Sequence, residues 1–216
     1  MTVASSLDQG KTWCYKYVEI EGAGRMPSPG DLDVCLLPDG TFRLFFTSAE
    51  PEARAPQILY AEGTDGIHFI KRGPAFGSGT EPVMDSFTVP IGGAWHMYTL
   101  GGIAGKVWHG ISEDGRTFRF HDHADFSIGG RWYIPTNEVP LEDGRVRFYA
   151  FTPGQGGDIR SFLTMDGYSW EEEPGVRLAL DASSGLEKEF VKDAAVARLG
   201  DGSYLMVYVT TIPDKE

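Results

Sequence analysis

Four carboxylates stand near the starts of extended, apolar segments in this 216-residue chain. Asp31, with Asp33 two places on, opens the run through Val34 and Leu36. Asp85 opens the run through Phe87 and Val89, and Asp193 the run through Val196. Glu138 stands near the start of another, beside Asn137. Carboxyl groups brought close together raise one another's pKa, so one can stay protonated near neutral pH and act as an acid while another is ionised. The plainer role of an Asp at a strand start is to accept from local backbone N–H groups, and the sequence leaves both readings open. Four such carboxylates around one axis could also hold a hard cation, Ca²⁺, Mg²⁺ or Na⁺. No other cofactor and no dedicated metal site is expected.

Other reactive side chains make weaker patterns. His121 and His123 would share one face of a strand, but without a third ligand nearby they read as a solvated polar segment. His96 occupies the repeat position that Arg43 and Arg147 hold, and either His96 or Arg43 could face a ligand. His109 reads as a half-buried histidine. Trp132 and Tyr133, just before Glu138, could stack on a ligand or pack between sheets. Gly154-Gln155-Gly156-Gly157 lacks the lysine and helix of a phosphate-binding loop and reads as a turn. No Ser-His-Asp or Cys-His arrangement stands out.

Two interleaved repeats must position these residues. The first is a turn followed by an aromatic: Ser6-Leu7-Asp8-Gln9-Gly10-Lys11-Thr12-Trp13, Thr64-Asp65-Gly66-Ile67-His68-Phe69, Ser112-Glu113-Asp114-Gly115-Arg116-Thr117-Phe118 and Thr164-Met165-Asp166-Gly167-Tyr168-Ser169-Trp170. Asp accepts from the N–H groups of the turn, Gly takes the positive φ, and the aromatic packs between sheets. The second is a hairpin around Asp39-Gly40, Gly92-Gly93, Asp143-Gly144 and Asp201-Gly202, flanked by apolar runs. Both recur at about 50 residues, the length of a four-stranded propeller blade.

The expected fold is therefore an all-β propeller. Blades of four antiparallel strands run over residues 31–73, 85–126 and 137–177. The segment 193–211 supplies the two inner strands of a fourth blade and 2–20 its two outer strands. Pairing of these half blades would close a four-bladed ring and remove the open edge. The alternatives are part of a five-bladed propeller and, less simply, a β-sandwich. A short helix could sit only in 180–193.

Bulk properties limit the function. A net charge of −12 repels phosphate backbones and anionic membranes, so nucleic acid and membrane are not expected partners. No stretch approaches the roughly 20 apolar residues of a membrane span. One domain over 1–216 and a monomer are expected. The start, MTVASSLDQGKTW, lacks the basic and apolar regions of a signal peptide, which suits a cytoplasmic protein or a trimmed secreted one. Cys14 and Cys35, the only cysteines, read as unpaired thiols.

The turn Ser6-x-Asp8-x-Gly10-x-Thr12-Trp13 resembles the Asp-box (BNR repeat) of sialidases and related propellers; the other three copies have Asp and Gly adjacent. The pattern Asp31…Val34…Leu37-Pro38-Asp39-Gly40…Arg43-Leu44-Phe45-Phe46 resembles blades of the five-bladed arabinanase, β-xylosidase and invertase-like glycoside hydrolases. That resemblance implies a carbohydrate ligand and a funnel of acidic residues. It casts Asp31 as base or nucleophile, Asp85 as modulator and Glu138 as acid. Asp33, Arg43, His96, Trp132, Tyr133 and Asp193 would contact substrate. Three departures stand out. Asp31 and Asp85 are followed by Leu32 and Ser86 rather than Pro, Glu138 lies one place past the register of Asp33, and no sialidase arginine triad can be assigned. The rival reading is a non-catalytic propeller that binds a glycan or a protein.

Overall fold

The computed structural model describes residues 1–23, 30–50, 52–101 and 105–212. They are strands joined by turns, with one 3₁₀ turn at Ala182–Ser184 inside the segment where a short helix was allowed. The chain divides into two compact units, Met1–Ala124 and Asp125–Glu216.

In the first unit β1 (Thr2–Ser5) and β2 (Cys14–Tyr17) form an antiparallel pair, and β3 (Glu19–Glu21) follows at once. β4 (Gly30–Leu36), β5 (Phe42–Ser48), β6 (Gln57–Gly63) and β7 (His68–Phe76) make the first blade, with β3 added in parallel to its outer edge on β7. β8 (Val83–Ile91), β9 (Ala94–Gly101), β10 (Val107–Ser112) and β11 (Arg119–Ala124) make the second. The second unit opens with a hairpin of β12 (Ser127–Ile128) and β13 (Arg131–Trp132). Its blade is β14 (Ile134–Pro140), β15 (Val146–Phe151), β16 (Asp158–Thr164) and β17 (Glu171–Glu172), with β18 (Leu178–Ala179) also on β16. β19 (Val191–Arg198) and β20 (Tyr204–Thr210) form an antiparallel pair. Three sheets of four or five strands, and the strand pairs β1–β2 and β19–β20, thus fall on the repeats.

The expected closure is corrected. Among the described strands β1 pairs with β2 and β19 with β20, in separate sheets. The reason is local. The Val18 N–H donates to the Met1 carbonyl at 3.1 Å, and the Glu19 N–H donates to the Ile67 carbonyl at 2.9 Å. The outer half blade is thereby tied, through β3, to the edge of blade one.

The turn repeat does what its residue types require. Asp65 Oδ1 accepts from the Ile67 and His68 N–H groups at 2.9 and 2.8 Å, and Asp166 Oδ1 from those of Tyr168 and Ser169 at 2.8 and 3.0 Å. Asp8 Oδ1 accepts from the Thr12 N–H at 2.9 Å, which with the Thr12 and Ser6 hydroxyls lowers its pKa to about 2. Such carboxylates are committed to the ionised state. The aromatic after the turn fills the space between sheets. Phe118 meets Phe45 edge-on at 6.0 Å, within a buried cluster of Ile58, Tyr60, Phe76, Val83 and Met97. In the second unit Trp170 packs on Phe126 at 4.6 Å.

Arg43 on β5 fastens blade one to the turn of blade two. It is 1% exposed, and its Nε and Nη2 donate to Glu62 Oε1 at 3.2 and 2.9 Å. Its Nη1 donates to the Asp114 carbonyl at 3.0 Å, and its guanidinium lies 5.7 Å over Trp95. Gly115 is required beside it: φ is 67°, and a Cβ there would meet Trp95 at 2.6 Å and Arg43 Nη1 at 2.8 Å.

Candidate active site

Each innermost strand is interrupted by a β-bulge. The ladder between β4 and β5 shifts between Gly30 and Asp33, that between β8 and β9 between Met84 and Phe87, and that between β19 and β20 between Lys192 and Ala195. Inside these bulges Asp31, Asp85 and Asp193 have φ of 51°, 52° and 49°. Among the described residues Gln9 is the only other non-glycine with positive φ. The left-handed conformation costs an L-residue about 1–2 kcal/mol, and Asp bears it better than most because its short side chain can bond locally. Strain of one kind thus falls on one residue type at one place in three repeats, held there by the surrounding structure. In blade three the shift lies between Pro135 and Asn137, and Thr136 occupies the bulge. Asn137 stands opposite Tyr149 as Asp33 stands opposite Phe45, and Glu138 is one residue further on, opposite Phe148.

A substitution pair separates backbone strain from side-chain chemistry. At exposed Asp31 we expect Asp31→Gly to be more stable than Asp31→Ala by about 1 kcal/mol, because only Ala pays the left-handed penalty. Chemical denaturation of both variants checks this; Ala matching or exceeding Gly would show that residue 31 is not left-handed in solution.

In the first unit β4 lies against β8, and the Cys35 thiol contacts the Thr88 carbonyl at 3.5 Å. The Asp85 N–H donates to Thr47 Oγ1 at 3.1 Å, and Thr47 pairs with Gly30, the residue before Asp31. Asp31, Asp33 and Asp85 therefore belong to neighbouring strands. Around Asp85 the hydroxyls of Ser86, Thr88 and Thr99 are buried without a hydrogen-bond partner among the described residues. Buried hydroxyls of this kind call for water or a bound polar group.

In the second unit β14 lies against β19. Thr136 Oγ1 donates to the Ala194 carbonyl at 2.9 Å, and the Val196 N–H donates to Asn137 Oδ1 at 2.7 Å. These bonds pin the bulge that holds Asp193, whose carboxylate meets Lys192 Nζ at 2.9 Å. Glu138 is half-buried, and burial pushes its carboxyl up to about 7.

Three expected substrate contacts are placed elsewhere, inside the packing. Arg43 spends its donors on Glu62 and Asp114, as described. His96 is fully buried, with Nδ1 2.9 Å from Nε2 of His109, while burial holds His109 neutral with a pKa of about 3. Tyr133 is 1% exposed and its hydroxyl donates to Asp158 Oδ1 at 3.1 Å. Trp132, half-buried on β13, pairs with Ser127. Thr47, Thr136 and Asn137 are the residues that sequence reasoning missed. No cluster of three or more His, Cys, Asp or Glu among the described residues is arranged to hold a metal. His123 instead packs against Trp108, 5.1 Å between rings. A groove of the first unit lined by Glu19, Thr41, Glu62, His68 and Arg72 contains none of the left-handed aspartates.

No protein-family model matches the sequence, and no curated protein matches it. Solved structures do. An endo-1,4-β-xylanase from Bacteroides thetaiotaomicron superposes with a TM-score of 0.73 at 15% identity, over 95% of this chain and 74% of that one. A thermostable family-43 glycoside hydrolase gives 0.69 at 15% identity, over 92% and 72%. An endo-arabinase from B. thetaiotaomicron gives 0.65 at 13% identity, over 89% and 73%. The chain thus has the all-β propeller fold that these glycoside hydrolases carry, and spans about three quarters of each. At such identities the likeness concerns the fold.

Proposed function

We propose that this protein is a carbohydrate-active propeller of glycoside-hydrolase type. The observation that carries the reading is the left-handed aspartate repeated in the bulges of innermost strands, at Asp31, Asp85 and Asp193. Cleavage of a glycosidic bond uses two carboxyl groups, one protonated to release the leaving group and one ionised to attack or to activate water. Glu138, whose carboxyl burial pushes up to about 7, suits the acid, because burial favours the form that carries a proton. Exposed Asp31 suits the base or nucleophile, and Asp85 orients and tunes its partners. Asp33, Asp193 and Trp132 contribute contacts to the glycan.

The test is turnover of linear arabinan, β-1,4-xylan, β-1,3-galactan and aryl glycosides by wild type, Asp31→Asn and Glu138→Gln. Hydrolysis by wild type, lost in both variants, is the expected result. Equal turnover by wild type and Glu138→Gln removes Glu138 from the mechanism. Glycan binding without turnover replaces the reading with a non-catalytic glycan-binding propeller.

A further inference from the structure

We infer that Thr47 is the positioning residue that couples the two left-handed aspartates of the first unit. The inference rests on the reading of Asp31 and Asp85 as chemical groups. Thr47 is next to last in β5, in the apolar run Phe42-Arg43-Leu44-Phe45-Phe46-Thr47-Ser48, and is 8% exposed. It touches both bulges. Its backbone pairs with Gly30, so it stands across the ladder from the residue that leads into Asp31. Its hydroxyl oxygen accepts from the Asp85 N–H at 3.1 Å, 38 residues away in sequence and on the next blade.

That bond falls where the backbone most needs it. In a bulge the extra residues leave the regular ladder, so their N–H and C=O groups must find partners elsewhere. Asp85 has φ 52°, a conformation that persists only when its surroundings enforce it. A buried hydroxyl with one fixed donor enforces it from outside the strand. The neighbouring polar groups do not substitute for it, because the hydroxyls of Ser86 and Thr99 have no protein partner among the described residues. Shifting Thr47 moves the strand facing Gly30 and releases the Asp85 amide together, so one residue sets the direction of two carboxylates. The second unit repeats the device with other atoms: Thr136 and Asn137 on one innermost strand hold the bulge of Asp193 on the next.

The experiment uses the full chain as wild type, Thr47→Val, Thr47→Ser and Asp85→Asn. Valine keeps the volume and removes the acceptor; serine keeps the acceptor. The first readout, hydrogen exchange at the Asp85 amide, needs no substrate. Thr47→Val should speed exchange there at least tenfold while amides in the core of β9 stay protected, and Thr47→Ser should restore protection to within about threefold. The second readout is kcat and KM on whichever of arabinan, xylan or galactan the wild type hydrolyses. Thr47→Val should lower kcat at least tenfold with KM within about twofold, and Thr47→Ser should recover most of it. Unchanged Asp85 exchange in a folded Thr47→Val overturns the inference, as does full kcat in Thr47→Val when Asp85→Asn is inactive. Should Thr47→Val fold poorly, exchange and kcat in Thr47→Ser decide: wild-type values sustain the coupling and a loss of both overturns it. A wild type that hydrolyses nothing, with Asp85 exchange responding as expected, leaves the coupling standing and removes only the hydrolase reading.

Discussion

Glu138→Gln should produce a more stable, less active protein, with the stability gain present only at high pH. Burial raises the Glu138 carboxyl from its ordinary 4.5 to about 7 in the folded chain. Between those two values the folded state binds more protons than the unfolded state, so wild-type stability falls as pH rises through the window. Below pH 4.5 the group is neutral in both states and the penalty vanishes. Above 7 it is ionised in both and the penalty is complete, at about 3 kcal/mol from the size of the shift. Glutamine resembles the protonated acid and escapes the penalty. Denaturant unfolding at pH 4 and pH 8 should therefore give curves that diverge between wild type and variant only at the higher pH. Turnover should fall about 10²–10⁴-fold in the variant, the usual yield of a positioned general acid. In the wild type it should decline as pH rises past about 7, as the acid loses its proton. A wild type whose stability relative to the variant does not change with pH would show that the carboxyl is solvated.

Arg43→Met should be the most destabilising of single substitutions at the ion pairs. The side chain is 1% exposed and serves a carboxylate, a main-chain carbonyl and an indole face at once. Breaking a buried pair from one side typically costs about 3–5 kcal/mol, since the partner keeps its burial and loses its compensation. Glu62 retains Arg72 and Arg116, each at 3.3 Å, which places the expectation near the lower end, about 3 kcal/mol. Arg43→Lys should recover only part of this, because an ammonium cannot reach Glu62 and the Asp114 carbonyl with one planar fork. Arg145→Met, which removes an exposed pair with Asp143, should leave the unfolding midpoint where it was. A shift in Arg43→Met no larger than that of Arg145→Met would overturn the assignment of Arg43 as a blade fastener.

The legible part of this fold was the part written in local chemistry. Asp-Gly turns and the aromatics after them reveal where strands and sheets begin and end because each turn closes on atoms within a few residues. The strand starts at Asp31, Asp85 and Asp193 were legible for a related reason: acidic residues before apolar runs need a turn or a bulge. Their left-handed backbone was not, although Asp at a break in strand alternation is the signal for it. Where the first strands attach is not legible, because β3 is three residues long and no repeat announces its parallel pairing with β7. The burial of Arg43, His96 and Tyr133 is not legible, because polarity beside a candidate site looks the same whether it faces solvent or the next sheet. Thr47 was invisible, as its meaning lies in one bond across 38 residues.

The arginine bolt also bears on how the first unit comes apart. Opening either of its blades alone would strip Arg43 of one set of partners while leaving its charge enclosed by the other. Partial melting there is penalised beyond the loss of its own ladder bonds. The two blades should therefore exchange their most protected amides at a common rate, as a single cooperative foldon, rather than peel away sheet by sheet.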